Sequence, residues 1–476
     1  MPEKLNRFIE ETKAAKFGDA RLTKRFGNLL NSLMNAPNKS IIGACKSWKE
    51  TIAAYRFFNH KNITENEILA PHQSATLERI KNERIVLIPQ DTTEINFSGR
   101  KKIKGMGYLN QEKSQGFYLH PGLAITPERS CLGVIDAQNW VREELGTSQS
   151  RNKKLIEEKE SYCWVKGYEA ANAIAIEAQD SIIVSIADRE GDIYELLEKT
   201  PSELNKAYWL VRCQHNRKLF KEKEDDIDLQ LRERVKRCEP IGEIEFQMSP
   251  GTIYNRDKKK RKPRKTRTVR QEVRTCSLTL KVPEKKTKNS KPVTIYVVHC
   301  SEINAHNEEE KIEWFLLTSF PVNDAKTALE IVSWYLCRWL IEIFFKILKS
   351  GCTIEELQFE TLKATKNCIA LYLIIAWRIL YLTMLGRNCP NISCDLVFEA
   401  NEWQSVYMII TKKAPPKDPP TLNEIIIMIA KLGGFLARKS DGYPGPQVMW
   451  IGIQRMKDFA LAWEVFGPSM EYKTYV

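Results

Sequence analysis

Two short apolar runs in the chain each end close to an aspartate. Arg84–Pro89 reads RIVLIP and is followed by Asp91, and Ser181–Ala187 reads SIIVSIA and is followed by Asp188. Continuous apolar runs of this length, rich in β-branched residues, are typical of buried strands. An aspartate at the carboxyl end of such a strand lies at the edge of a sheet, where α/β folds place their sites. Taken alone, each has an ordinary explanation as a turn residue or a helix cap, and Asp192 could equally cap the next helix.

A third segment, from about Ala325 to Ser350, repeats with a helical period. Its apolar residues would cover most of the helix circumference, and they are Trp334, Leu336, Trp339, Leu340, Ile343, Phe344, Phe345, Ile347 and Leu348. At about 100° per residue, four polar residues fall within an arc of roughly 60°. These four are Tyr335, Arg338, Glu342 and Lys349, with Lys346 beside them. An internal salt-bridge ladder from Arg338 to Glu342 is one interpretation of this stripe, and a functional site is the other.

The two ends of the chain have the pattern of helices. Near the N-terminus, Asp19 is a candidate N-cap, and the cationic residues of the helix that follows it are Arg21, Lys24 and Arg25. Near the C-terminus, Glu424–Leu436 is apolar on a helical period and needs a partner. The long apolar run Ile369–Leu385 is interrupted by Arg378 and is shorter than a typical membrane span, so it predicts a buried helix.

Composition favours a polyanionic partner. The 476 residues contain 73 Lys and Arg against 60 Asp and Glu, a net charge of +13, and such a field attracts nucleic acid. Much of the excess lies in Arg256–Arg270 (RDKKKRKPRKTRTVR), between the β-rich segments Gly242–Met248 and Thr275–Val282. This run is either a solvated loop or a contact with a DNA backbone. Twelve cysteines without a CxxC pair indicate reduced thiols and a cytoplasmic protein.

Three carboxylates from separate segments, without a His or Cys cluster, suit a hard divalent cation better than zinc. Mg²⁺ is bound by a few carboxylate oxygens together with water and substrate phosphate. The candidate ligands are Asp91, Asp188 and Glu342.

These residues resemble a known family, the DDE transposases of bacterial insertion sequences, specifically insertion-sequence family four. Its signature Tyr-x2-Arg-x3-Glu-x6-Lys is matched by Tyr335, Arg338, Glu342 and Lys349 without a gap or substitution. The family's first acid precedes a threonine, as in Asp91-Thr92, and its second lies in Asp-Arg-Glu-x-Asp, as in Asp188–Asp192. Further similar blocks are Ala54–Phe57, Trp314–Ser319 and Leu432–Phe435. Their order along the chain indicates a full-length relative of the family's well-studied cut-and-paste member.

The resemblance implies an α/β fold with a ribonuclease H-like catalytic core. It predicts a helical domain at residues 1–75 that binds DNA ends and a catalytic domain at 76–385, with a mainly β insertion at about 220–298. A helical dimerisation domain would follow at 386–476, although a helix that docks within its own chain is the alternative for Glu424–Leu436. Strands are expected near Ile85, Gly122, Leu132 and Tyr208.

The resemblance also implies the chemistry. Cutting a phosphodiester and joining its 3′-hydroxyl to another phosphate uses two divalent ions, here two Mg²⁺ ions, with Mn²⁺ as a substitute, on Asp91, Asp188 and Glu342. Tyr335, Arg338, Lys346 and Lys349 would contact the phosphates of the strand end.

The resemblance implies three further DNA contacts, and each of them has an alternative interpretation. Trp314 corresponds to the family's aromatic residue that stacks on a flipped base; a core tryptophan is the alternative. Arg212 corresponds to a phosphate contact, or is an ordinary surface arginine. The helix with Arg21, Lys24 and Arg25 belongs to the region that reads the ends, or is an ordinary charged helix face.

The expected function is a cut-and-paste transposase of the bacterial cytoplasm and nucleoid, with no membrane. It would bind the inverted-repeat ends and target DNA as a homodimer, and would nick, form and open hairpins and transfer strands. The alternatives are a related nuclease that cuts without inserting and a catalytically silent DNA-binding protein. The complete set of three acids argues against the silent protein.

Overall fold

The fold is described from a computed structural model of the chain. The described residues are 7–45, 47–99, 103–111, 114–143, 155–220, 230–248, 251–255, 260–264, 266–284, 290–305 and 311–467. The chain divides into two compact units. The first comprises Met1–Val86, Asp91–Lys153 and Trp339–Val476, and the second comprises Leu87–Gln90 and Lys154–Arg338. The fold is therefore mixed α/β, with helical segments toward both ends of the chain.

From residue 7 onward, the described part of the first unit has five helices before its first strand. They are α1 Arg7–Lys13, α2 Ala20–Asn35, α3 Ile41–Ala44, α4 Trp48–Phe58 and α5 Glu65–Ile80. Their starts follow from polar caps in the sequence. Asp19 accepts the backbone N–H of Arg21 at 2.7 Å, which confirms the predicted cap, and Thr64 and Glu67 form a reciprocal capping box. Such caps satisfy N–H groups that have no partner within the helix.

Among the described residues, the first unit also contains four strands and five further α-helices. The strands are β2 Thr93–Asn96, β3 Gly107–Tyr108, β4 Gln115–Ile125 and β5 Cys131–Trp140, and β4 pairs antiparallel with the other three. The helices are α10 Trp339–Lys346, α11 Leu362–Asn388, α12 Ala400–Thr411, α13 Leu422–Leu432 and α14 Pro446–Phe466.

Helix α11 forms the core of the first unit. It contacts α2, α4, α5, β5, α13 and α14. Within the described residues it is the one helix long and apolar enough to cross a membrane, with a mean hydropathy of 2.0 over its most apolar window, yet 94% of that window is buried inside the protein. The prediction of a buried helix over Ile369–Leu385 is confirmed.

A buried ionic cluster fixes α1 to this core. Glu11 bonds His72 Nδ1 and accepts Arg79 Nη1 at 2.7 Å. Arg79 also donates to the carbonyl of Leu132 at 2.6 Å and lies 4.5 Å above the Trp377 ring. Burying a charged group is costly unless it is paired and hydrogen-bonded, so this network ties the first helix to α5, β5 and α11.

The C-terminal helices pack on one another within the chain. Helix α13 contacts α12 and α14, and its apolar residues Ile425, Ile426 and Ile429 are buried. Helix α13 ends at Leu432, and its apolar face packs on α11, α12 and α14, as the alternative of a helix docked within its own chain expects for Glu424–Leu436.

The second unit is built on a mixed sheet. Its strands, in spatial order, are β1 Ile85–Pro89, of which Leu87–Pro89 belong to this unit, β6 Ile182–Ala187, β7 Tyr208–Arg212, β13 Glu313–Thr318, β12 Val293–Glu302, β11 Arg267–Leu280 and β8 Gly242–Met248. Strands β6 and β7 are parallel, and the pairs from β7 to β8 are antiparallel. A separate ribbon pairs β9 Gly251–Asn255 with β10 Lys260–Arg264.

In its described ranges, the second unit also contains four α-helices. They are α6 Tyr162–Glu177, α7 Tyr194–Leu197, α8 Leu231–Lys236 and α9 Ala325–Cys337. Helix α6 packs on β6, and α8 and α9 pack on β11 and β12. The strands expected near Ile85 and Tyr208, and before Asp188, are present, as are those near Gly122 and Leu132 in the first unit.

Candidate active site

Asp188 begins a tight turn at the end of β6. Its side chain accepts the N–H of Glu190 at 2.7 Å and so caps a 3₁₀ turn over Arg189–Gly191. The turn leaves no room at Gly191, where a Cβ atom would lie 2.4 Å from Ala187 Cβ. Burial raises the pKa of the Glu190 carboxyl, and the charges of Asp188 and Glu160 raise it further. The end of β6 therefore carries a concentrated negative charge, which favours a bound cation.

Asp192, the second aspartate of the same motif, has a structural role. Its buried carboxylate accepts the N–H groups of Gln214 and His215 at 2.7 and 2.8 Å. Arg217 adds bonds from Nε at 3.1 Å and Nη2 at 2.6 Å. These partners hold the loop that follows β7, so Asp188 is the acid of this motif that is left for chemistry.

Three of the predicted DNA-contacting residues come together in the second unit. The Tyr335 side chain, on α9, is 7% exposed, and its hydroxyl bonds the guanidinium groups of both Arg338 and Arg212. Burial raises the pKa of Tyr335; Arg338 and Arg212 oppose that shift, and Asp188 adds to it. Burial lowers the pKa of Arg212. Two clustered guanidinium groups beside an aspartate form a surface suited to phosphate.

Trp314 lies against this cluster. It is half-buried on β13, its ring stacks on Phe246 at 6.1 Å, and it meets Tyr335 in a tilted contact at 6.4 Å. One part of the ring is thus packed inside the unit, as the core interpretation expects, while the rest is accessible to a ligand.

The helix predicted over Ala325–Ser350 is interrupted. Helix α9 ends at Cys337, Arg338 forms an i to i−3 bond to the Tyr335 carbonyl at 3.1 Å, and α10 begins at Trp339. After Lys346 the chain continues as a π-helical turn over Ile347–Gly351. A single 100° spacing therefore does not hold across the segment.

The predicted burial of two residues is wrong. Leu336 is 37% exposed and Trp339 is 60% exposed, although both were predicted to lie on the buried circumference of the helix. Trp339 is an exposed aromatic residue between two signature residues, and its position in an apolar run indicates a core residue instead.

In the first unit, Asp91 is held by its neighbours. Its Oδ1 accepts the N–H of Thr92 at 2.8 Å, and the Thr92 hydroxyl bonds His120 Nδ1 at 2.8 Å. His120 lies on β4 and is 1% exposed. Burial lowers the pKa of His120 to about 3, so the ring is neutral at physiological pH. Thr92 and His120 are 28 residues apart, and no local pattern predicts this contact.

The two signature residues of the first unit, Glu342 and Lys349, differ in their surroundings. Glu342 is half-buried on α10, and Lys346, beside the signature, is exposed at the end of that helix. Lys349 donates to the carbonyl of Glu94 at 2.5 Å and lies 3.7 Å from the Glu355 carboxylate. Glu355 in turn accepts the N–H of Asn96 at 2.8 Å. Lys349 therefore fixes strand β2, and it would have to exchange these partners to contact DNA.

The candidate residues of the N-terminal helix lie on its accessible face. Arg21 is 91% exposed and bridges to its own cap, Asp19, at 3.0 Å. Lys24 is exposed and Arg25 is half-buried. Of the basic run Arg256–Arg270, residues 256–259 and 265 lie outside the described part of the chain.

The three proposed metal ligands belong to different units: Asp188 to the second, Asp91 and Glu342 to the first. Within the described ranges, no three His, Cys, Asp or Glu side chains form a group that would hold a metal ion. The chemistry of the donor set nevertheless fits a hard divalent cation, since all three residues offer carboxylate oxygens.

Three family models match the chain in order. A transposase DNA-binding domain matches residues 7–63, a transposase DDE domain matches 175–378, and the Tn5 transposase dimerisation domain matches 374–465. The chain carries the domains of a Tn5-type DDE transposase. Asp188 and Glu342 lie inside the DDE match and Arg21 inside the DNA-binding match, whereas Asp91 lies outside all three matched segments.

One solved structure matches this chain weakly. The cryo-EM structure of the piggyBac transposase synaptic complex with hairpin DNA has 10% sequence identity, covers 76% of this chain and 70% of its own, and has a TM-score of 0.30. At that score the likeness bears on neither fold nor function.

Proposed function

We propose that this chain is a cut-and-paste DNA transposase of insertion-sequence family four. The observation that carries the proposal is the order of the three matched domains: a DNA-binding domain, a DDE domain and a dimerisation domain. A nuclease that only cuts does not need a dimerisation domain after its catalytic domain, whereas an enzyme that moves a segment must hold both of its ends.

The catalytic residues of the proposal are Asp91, Asp188 and Glu342. Two Mg²⁺ ions bound by these carboxylates would activate the attacking oxygen and stabilise the leaving one, and Mn²⁺ would substitute for them. The local surroundings support Asp188 in particular, because Asp192 of the same motif is fully engaged in holding a loop. The catalytic core is proposed to be ribonuclease H-like, with its mainly β insertion at about 220–298.

The DNA strand end is positioned by the cluster of the second unit. Arg212 and Arg338 bond the Tyr335 hydroxyl, and a phosphate that arrives there would accept hydrogen bonds from both guanidinium groups. Lys346 and Lys349 add positive charge, and Trp314 offers an aromatic face to an extruded base. Arg21, Lys24 and Arg25 belong to the region, residues 1–75, that reads the transposon end.

The reaction would proceed by nicking, hairpin formation, hairpin opening and transfer of the 3′-hydroxyl ends into target DNA. Residues 386–476 would hold two copies together on the paired ends. A protein that acts on bacterial DNA works in the cytoplasm, in contact with the nucleoid, and the burial of helix α11 agrees with a location away from the membrane.

The test is an incubation of the purified protein with a linear duplex that carries the inverted-repeat end of its own element. Products formed with Mg²⁺ and with EDTA are compared on a denaturing gel. The proposal expects a metal-dependent cut at the element boundary and a hairpin product. A cut without a hairpin or any insertion would favour a related nuclease, and end binding without a cut would favour a silent DNA-binding protein.

A further inference from the structure

The backbone N–H of a threonine holds the side chain of Asp91, and a buried histidine holds that threonine. The sequence places Thr92 directly after this proposed metal ligand, and the Thr92 N–H donates to Asp91 Oδ1 at 2.8 Å. The Thr92 hydroxyl bonds His120 Nδ1, also at 2.8 Å. The orientation of the Asp91 carboxylate is thus linked, through one residue, to a histidine ring.

The histidine is fixed more firmly than the residues it supports. His120 is buried on β4, where it pairs in register with Gln138 of β5, and the preceding residue, Leu119, pairs with Thr93 of β2. Strand β4 is buried along nearly its whole length. By contrast, Asp91 and Thr92 are half-buried and lie between two strands.

We propose that Thr92 and His120 are positioning residues for Asp91, which hold its carboxylate in the orientation that binds the divalent ion. This inference rests on the proposed function, since it assumes that Asp91 is a metal ligand. Neither residue touches the reacting atoms. Hydrogen bonds to a metal-ligating group fix its orientation, and their loss typically costs about 10- to 100-fold in metal affinity or activity.

The chain allows a matched pair of substitutions. Thr92→Val keeps the shape of the side chain and removes the hydroxyl, whereas Thr92→Ser keeps the hydroxyl and removes a methyl group. At the other end of the contact, His120→Asn places an amide near the position of Nδ1 and His120→Leu does not. Thr383→Val is the control for a lost buried hydroxyl, because Thr383 bonds the Ile379 carbonyl at 2.7 Å inside helix α11.

The first measurement is Mn²⁺ binding by the full-length protein in complex with a duplex that carries the inverted-repeat end of its element. Electron paramagnetic resonance detects the bound Mn²⁺. Thr92→Val and His120→Leu keep the backbone N–H that bonds Asp91 and lose only the contact that holds it, so the Mn²⁺ dissociation constant should rise by about 10-fold, the lower end of the range for a lost bond to the ligand itself. Thr92→Ser, His120→Asn and Thr383→Val should stay within about threefold of the wild type. The second measurement is the Mg²⁺ concentration that gives half-maximal cleavage, which should shift in parallel while DNA binding in EDTA is unchanged.

The outcomes separate this inference from the proposed function. If Thr92→Val binds Mn²⁺ as tightly as the wild type, or if Thr383→Val weakens binding as much, the inference is wrong while the proposed function stands. If the wild type and Asp91→Ala bind Mn²⁺ equally, Asp91 is not a ligand, and both the inference and the assignment of the catalytic residues are wrong.

Discussion

The two aspartates of the Asp188–Asp192 motif should fail in different ways when they are replaced. The structure assigns Asp192 to a buried ionic contact with Arg217 and to two backbone N–H groups, and leaves Asp188 at the end of β6. Asp192→Ala should therefore destabilise the protein. Asp188→Ala should cost only the value of a lost cap, about 0.5–2 kcal/mol, and abolish cleavage.

The size of the first effect follows from the contacts. The Asp192 carboxylate accepts four hydrogen bonds and has no side-chain exposure, and its partner Arg217 is 11% exposed. Removing one member of a buried ion pair costs about 3–5 kcal/mol, because it leaves the other charge buried and unpaired. For a unit of this size, about 2–4 °C in melting temperature corresponds to each kcal/mol. We expect a decrease of roughly 6–20 °C.

The assay is thermal unfolding of the wild type, Asp192→Ala, Asp188→Ala, Arg217→Met and the double variant Asp192→Ala/Arg217→Met. The double variant should be less destabilised than Asp192→Ala, since no unpaired charge remains buried. Cleavage is measured at a temperature at which every variant is folded. The reasoning is refuted if Asp192→Ala melts like the wild type, or if it abolishes cleavage while folded, as Asp188→Ala is expected to do.

Three further predictions concern other parts of the molecule. Burial acts to raise the pKa of Glu11, but His72 and Arg79 outweigh it and lower the pKa below its usual 4.5. The stabilisation from these contacts is present above pH 4.5 and is lost as the pH falls through the lowered pKa. Glu11→Gln should therefore lower the melting temperature at pH 7, and the melting temperature of this variant should fall less on acidification than that of the wild type. Lys346→Ala should reduce the slope of log affinity for DNA against log salt by about 0.9; an unchanged slope in a filter-binding titration would remove Lys346 from the phosphate contacts. Trp314→Ala should slow hairpin formation by roughly 5- to 150-fold, equivalent to about 1–3 kcal/mol of lost base stacking. Trp314→Phe should recover most of the rate. If both variants are equally slow in a single-turnover gel assay, Trp314 has a core role instead.

The sequence predicted the elements that depend on local patterns. Strands β1 and β6 are continuous apolar runs, and each lies within one residue of its predicted bounds. The Asp19 cap is a local contact between neighbours. In each case the structure depends either on contacts between residues close in sequence or on the burial of one apolar run. A single sequence shows both kinds of pattern.

The rest of the site depends on contacts between residues that are distant in sequence. Lys349 lies on the predicted stripe, but its partner is the carbonyl of Glu94, 255 residues earlier. Trp339 is exposed, and nothing in a run of apolar residues marks which of them lies at the surface. Asp192 and Asp188 look equivalent in the sequence, because the loop whose N–H groups bond the Asp192 carboxylate begins 22 residues later.

The most direct test of the account is a comparison of the wild type with Glu342→Ala for both end binding and cleavage. Binding to the inverted-repeat duplex is measured in EDTA, and cleavage of the same duplex is measured with Mg²⁺. The account predicts that the folded variant binds the end as the wild type does and makes no cut. Residual metal-dependent cleavage, or loss of binding in a variant with an unchanged melting temperature, would contradict the assignment of Glu342 to the chemistry.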